Sequence, residues 1–285
     1  MASKAKLKLY RWTGRARSAL ATLGMILGLA LPDAGHAQTL RVGGTGAAMG
    51  MMNALGEAFA VTHPGVRLEV VPSLGSSGGI AAVRDGALDF SISSRELKPD
   101  EVAASLRATH FATSPFGLAS SNPAPGDLKG TEVAAFYADV KSTWPDHTPV
   151  RVILRPRGES DSTLLGETFP GMEAAIAAMR EHRDVPVAAT DQDNVRMAER
   201  IDNSLIAASL TQVLMEKPRL QFVSIDGVSP SLENMALGSY PYGKKFLLVV
   251  SARHNPTLGR FMDFLRSPEG ERLLRQTGNI AVAHE

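Results

Sequence analysis

The sequence predicts an α/β protein. Three observations carry that expectation: apolar runs that alternate between strand and helix periodicity, a β-α-β-α-β order in the first ordered stretch, and small polar loops at successive strand ends. Leu40-Arg41-Val42 reads as a strand and runs into Gly43-Gly44-Thr45-Gly46. Met49 to Ala60 then places Met52, Leu55 and Phe59 on one helical face and is stopped by His63-Pro64-Gly65. Val66 to Val71 alternates as a strand, Pro72 ends it, and Gly75-Ser76-Ser77-Gly78-Gly79 leads into a short helix, Ile80 to Asp85. Asp89 to Ile92 is a third strand and passes into Ser93-Ser94-Arg95.

Phe111 to Ala119 reads as a strand leaving this unit, and Asn122-Pro123-Ala124-Pro125-Gly126 as a linker. A second α/β unit is expected beyond it. It has helices near Asp127–Tyr137, Met172–Glu181 and Asp193–Arg200, and strands at Val150–Leu154, Val185–Ala189 and Leu205–Leu210. A polar turn falls at Arg157–Thr163. Phe246–Val250 is a buried strand, and helices over Leu258–Phe264 and Glu269–Gln276 close the chain.

Composition narrows the function classes. The chain has 285 residues, 44% hydrophobic and 21% charged, which supports a sizeable core. It has no cysteine, so disulfides, thiolate metal sites and thiol nucleophiles are excluded. Lys4, Lys6, Lys8, Arg11, Arg15 and Arg17 precede the apolar run Ala19–Leu31, then Pro32 and Gly35-His36-Ala37. That is the three-part pattern of a secretory signal peptide over residues 1–37, and its apolar core is short for a membrane span. Cleavage after Ala37 removes those six basic residues and one acid, leaving a net acidic chain. Nucleic acid is therefore excluded as the expected partner. The expected location is periplasmic or secreted, free after cleavage.

Three strand ends of the first unit, at Thr45-Gly46, Ser76-Ser77 and Ser94, lie on one edge of a parallel sheet if the order above holds. Glycines admit a ligand to the backbone, hydroxyls add donors, and helix N-termini add the positive end of the dipole. The second unit offers a loop of the same kind, Arg155 to Thr163, with two arginines and three hydroxyls. Converging loops of this type suit a small oxyanion, although each loop alone also reads as ordinary capping.

These motifs, in this order, resemble the phosphate-binding-protein-like solute-binding proteins of ABC importers, within the type II periplasmic binding protein superfamily. The similarity continues through Thr143-Trp144-Pro145-Asp146, Gly238-Ser239-Tyr240-Pro241 and Phe264 to Gly270. The resemblance implies a two-lobed clamshell, each lobe a mostly parallel sheet flanked by helices. Residues 38–120 and 213–285 would form lobe 1, and residues 121–212 lobe 2. It implies a binding protein rather than an enzyme, a monomer, without cofactor or metal, that delivers phosphate to an ABC permease. The ligand set carried over is Thr45, Gly46, Ser76, Ser77, Ser94, Arg155, Ser160, Ser162 and Thr163. Two positions depart from the family pattern. Ser94 stands where phosphate binders usually place an aspartate, and Glu159 stands where a serine follows the arginine. Molybdate, tungstate and sulfate therefore stay open as ligands, as does a sensor that does not serve transport.

A competing motif is Gly75-x-Ser77-x-Gly79, the spacing of a nucleophile elbow, with Asp226 and His254 as the acid and base of a serine hydrolase. Asp191-Gln192-Asp193-Asn194 has the look of a calcium loop. It places Arg196 at the obligatory glycine, so Asp193 or Asn194 is expected to cap a helix instead. Trp144 and Tyr240 are expected in core or hinge packing.

Overall fold

The computed structural model describes residues 38–72 and 74–282; the expected signal peptide lies outside them. Strand β1 (Gln38–Gly44) passes through a 3-10 turn (Gly46–Ala48) into helix α1 (Met49–Thr62), strand β2 (Val66–Val70), helix α2 (Gly75–Arg84) and strand β3 (Phe90–Ser93). Helix α3 (Pro99–Ala103) precedes the long strand β4 (Arg107–Ser120). Then come β5 (Asp127–Leu128), α4 (Val133–Ala138), β6 (Arg151–Val152), α5 (Ser160–Thr168), α6 (Met172–Met179), α7 (Asp191–Arg200) and β7 (Ser204–Ser209). The chain continues through α8 (Leu210–Glu216), β8 (Gln221–Phe222), β9 (Ser224–Ile225), α9 (Leu232–Ala236) and β10 (Gly243–Val250). It closes with α10 (Pro256–Leu265), α11 (Pro268–Gln276) and β11 (Ile280–Ala281).

The main sheet runs β2-β1-β3-β10-β4-β7-β6. The β-α-β-α-β unit is present: β2, β1 and β3 are parallel neighbours, as are β6 and β7. β10 and β4 run antiparallel between these two groups. β4 pairs with β10 from Arg107 to Pro115, then with β7 from Phe116. Pro115 lacks a donor, so it sits where the strand changes partner and loses least. The apolar core divides at the same place. Phe111 and Ala112 pack with Val42, Leu55, Phe90 and Phe261. Phe116 and Leu118 pack with Trp144, Phe169, Leu205 and Tyr240. The stretch expected to rejoin the first lobe feeds both clusters: Phe246 and Leu248 the first, Val223, Ile225 and Tyr240 the second.

Some elements differ from expectation. The helix near Asp127–Tyr137 is a two-residue strand followed by a shorter helix from Val133. Val185–Ala189 makes one bridge, Leu154 to Val187. Helix α2 starts at Gly75, five residues before the apolar periodicity begins, and a packing requirement explains its glycines. A Cβ on Gly79 would lie 2.6 Å from the Cα of Gly44, so helix and strand backbones touch. Gly44 itself has φ +122 and a Cβ there would lie 2.0 Å from the Ile92 carbonyl. Trp144 and Tyr240 are core residues, donating to the carbonyls of Asn203 and Phe116 at 3.0 Å each.

Candidate functional site

Four loops meet between the two halves around a cavity of about 230 Å3. The first half supplies Gly75, Ser76 and Ser77 from the start of α2, and Arg95 from beyond β3. The second supplies Arg155 to Ser160 and Ala189 to Asp191. Helix α2 opens toward it with Leu74 at the cap, a residue with no side-chain acceptor to offer the helix end.

Three serines bridge the halves. Ser76 Oγ lies 3.2 Å from Ser94 Oγ and accepts from the Ser94 N–H at 3.0 Å. Ser94 Oγ donates to Ser160 Oγ across the cleft at 2.9 Å. Ser160 Oγ in turn donates to the Glu159 carboxylate at 3.0 Å. Gly46 N–H donates to Asp191 Oδ2 at 2.9 Å, and Gln192 donates to the Gly46 carbonyl at 3.0 Å, so a second pair of contacts spans the same gap.

Arg155 lies at the base of the cavity, 5% exposed. Its Nη1 donates to the Ala188 carbonyl at 2.7 Å, which fixes the guanidinium plane. Nε faces Glu159 at 3.5 Å and Nη2 faces Asp191 at 3.6 Å. Nε makes no hydrogen bond among the described residues, nor does the buried Thr45 hydroxyl. Of these two unsatisfied buried donors, Arg155 Nε belongs to a cavity-lining residue, and Thr45 does not line the cavity. Arg155, rather than Arg157, is the buried arginine; Arg157 is exposed at the rim.

The remaining expected residues divide. Gly46 is at the interface of the halves, but its N–H is held by Asp191, and the Thr45 N–H is held by the Ile92 carbonyl at 2.8 Å. Ser77 is exposed at the rim, where it accepts from Arg95 Nε and Nη2 at 3.1 Å each. Ser162 and Thr163 are displaced from the cavity. Because α5 begins at Ser160, its turn carries both toward a different depression, with Gly166, Glu173 and Arg180. The hydrolase elbow is not assembled. Gly75–Gly79 is helical, the partner of Ser77 is Arg95, and Asp226 accepts from the Gly130 N–H at 3.3 Å. The cap of α7 is Thr190, whose hydroxyl accepts from the Asp193 N–H at 3.0 Å, rather than Asp193 or Asn194.

Sequence reasoning missed Arg95, Asp161, Asp191 and Lys244. Lys244 on β10 and Asp161 on α5 form a fully buried ion pair next to Glu159 and Asp191. Burial pushes the Asp161 carboxyl up to about 7; Lys244 pulls it back, and Glu159 and Asp191 add to the rise. Glu159, Asp161 and Asp191 place carboxylate oxygens within 4.8 Å of one another. Arg155 and Lys244 are already paired to these three carboxylates, so the cluster is an ion network rather than a set of free metal ligands.

Arg95 is oriented from behind by Glu101, through contacts of 2.7 and 2.9 Å. The arginine hydrogen bond, together with the Lys98 N–H, holds the Glu101 carboxyl down at about 2 against the opposing effect of burial. Because this carboxyl is depressed, its stabilisation is complete above its ordinary value near 4.5 and is lost as pH falls toward 2. Glu101→Gln should therefore flatten the acid limb of the stability profile. Urea midpoints measured between pH 2 and 6 check this, and an unchanged slope would remove the pair from the account.

Comparison with known proteins agrees with the fold. The family model of the PBP superfamily domain matches residues 31–269. A Clostridium perfringens structure with bound phosphate, assigned as a phosphate ABC transporter substrate-binding protein, superposes with TM-score 0.75 at 22% identity. The match covers 86% of this chain and 100% of that one. An ABC-type phosphate transport receptor from Vibrio cholerae gives 0.60 at 18%, over 86% and 100%. The regulatory domain of CcmR from Synechocystis PCC6803, in complex with 2-PG, gives 0.53 at 13%, over 80% and 95%. No curated protein matches the chain. Since the family model spans most of the sequence and the described residues form the same α/β fold, the chain belongs to the PBP superfamily.

Proposed function

We propose that this protein is an exported solute-binding protein that captures a small oxyanion, phosphate foremost, in the cleft between its halves and delivers it to an ABC permease. The observation that carries the reading is the serine bridge Ser76–Ser94–Ser160, set over a buried arginine. Hydroxyls, a helix N-terminus and a guanidinium together can replace the hydration shell of an oxyanion. Two neighbours with phosphate in their names support phosphate as the first ligand to test. Export rests on the basic and apolar pattern of residues 1–37; among the described residues no helix is long and apolar enough to cross a membrane. The likeness to a regulatory domain favours one second reading, an anion sensor with no part in transport.

Calorimetric titration of the purified chain, stripped of anions, with phosphate, sulfate, molybdate and tungstate tests the proposal. Saturable one-to-one binding of phosphate is the expected result. Binding of another of these anions alone would reassign the ligand, and no binding of any would overturn the oxyanion reading.

A further inference from the structure

We infer that the carboxylate of Glu159 is an internal occupant of the oxyanion site, which an external anion must displace, so that replacing Glu159 tightens ligand binding. This inference rests on the oxyanion reading and deepens it.

The donors that would serve an anion converge on this one side chain. Glu159 Oε2 accepts from the Asp161 N–H at 2.8 Å, at the first turn of α5, and faces Arg155 Nε at 3.5 Å. Its Oε1 accepts from Ser160 Oγ at 3.0 Å. Ser160 relays from Ser94, so the hydroxyl bridge from the first half also ends on this carboxylate. A helix N-terminus, a serine pair and the buried guanidinium are thus turned toward one negatively charged group from the chain itself. Glu159 is moreover a cavity-lining residue, so it is placed where an incoming anion would meet these donors.

The chemistry makes it a competitor rather than a support. A carboxylate without its proton only accepts, so it gives nothing to an oxyanion that is itself an acceptor. An anion seated on Arg155 would face Glu159 and Asp191, two like charges within reach of the same guanidinium. Glu159 stands four residues after Arg155 and caps α5 through its carboxylate. A hydroxyl there would cap α5 without charge and would donate as well.

The test compares the whole protein with Glu159→Ser and Glu159→Gln, each titrated with phosphate and sulfate, with unliganded and liganded melting followed by circular dichroism. Glu159→Ser should tighten phosphate at least tenfold, and Glu159→Gln, which keeps one acceptor oxygen, turns the other into a donor and sheds the charge, severalfold. The unliganded serine variant should melt lower than the parent, because Arg155 loses one of its two carboxylate partners, yet gain more from phosphate. Binding by the variants alone would be the same result in stronger form.

Equal or weaker binding in both variants would overturn the inference while the oxyanion reading stands. Weaker binding together with a lost preference for phosphate over sulfate would make Glu159 the acceptor of the ligand's proton, which also overturns it. If parent and variants melt cooperatively and none binds either anion, the inference and the reading beneath it fall together.

Discussion

Arg155→Ala is expected to abolish anion binding and to lower the melting temperature by roughly 10 °C. The two effects have separate causes. For binding, the variant removes the buried guanidinium of the site and leaves Glu159 and Asp191 facing the anion. Hydrogen bonds to charged groups contribute about 1.5–3 kcal/mol each, so a loss of two such contacts weakens binding at least a hundredfold. For stability, Arg155 faces two carboxylates and donates to the Ala188 carbonyl. Removing one partner of a buried pair costs about 3–5 kcal/mol, because the charge left behind has lost both water and partner. For a chain of this size each kcal/mol is worth about 2–4 °C. Arg155→Lys separates the causes: it keeps the charge, but a lysine cannot address three partners in one plane, so stability recovers more than affinity. If Arg155→Ala melts low but binds phosphate as the parent does, the arginine is structural and the site lies elsewhere.

The residues that sequence reasoning found and those it missed differ in how local their signals are. Ser76, Ser94, Arg155 and Ser160 were legible because each sits in a short polar loop after an apolar strand, and the α/β order alone brings such loops to one edge. Ser162 and Thr163 belong to the same run of hydroxyls. They were misplaced because one helical turn redirects them, and the start of α5 at Ser160 depends on the Glu159 cap, a matter of a single residue. Asp191 reads locally as an acid in the first turn of a helix, where the dipole welcomes it whatever it contacts. Its role as the partner of Gly46, 145 residues away, exists only after the halves meet. The β4 crossover was equally hidden, since an apolar run announces a strand but not that its partner changes at Pro115.

Lys244→Met is the second large expectation, and its size should depend on pH. Lys244 is the second residue of β10, beside Lys245, a pattern that locally reads as a solvated strand end, yet its side chain is fully buried against Asp161. Burial alone would pull the lysine down; Asp161, then Asp191 and Glu159, more than offset it and keep it charged. Asp161 in turn sits high, at about 7, chiefly through burial. An acid raised in the folded state stabilises the fold below its unfolded value near 3.8, and that contribution is lost as pH rises through 7. In Lys244→Met the one group that lowers Asp161 is gone, so the carboxyl rises further and the loss extends above neutrality. The variant should be only mildly destabilised at pH 6, where Asp161 takes a proton. Its deficit should grow by about 1.4 kcal/mol per pH unit once pH exceeds 7, where the parent's Asp161 gives up its proton and the variant's does not, toward the 3–5 kcal/mol of a broken buried pair. Adding Asp161→Leu to Lys244→Met removes the stranded acid and should restore most of the stability and erase the pH dependence. Urea denaturation at pH 6, 7 and 8 measures all three. A deficit that is constant with pH would mean that Asp161 does not titrate there. A double variant as unstable as the single would mean that packing around β10, rather than the ion pair, sets the cost.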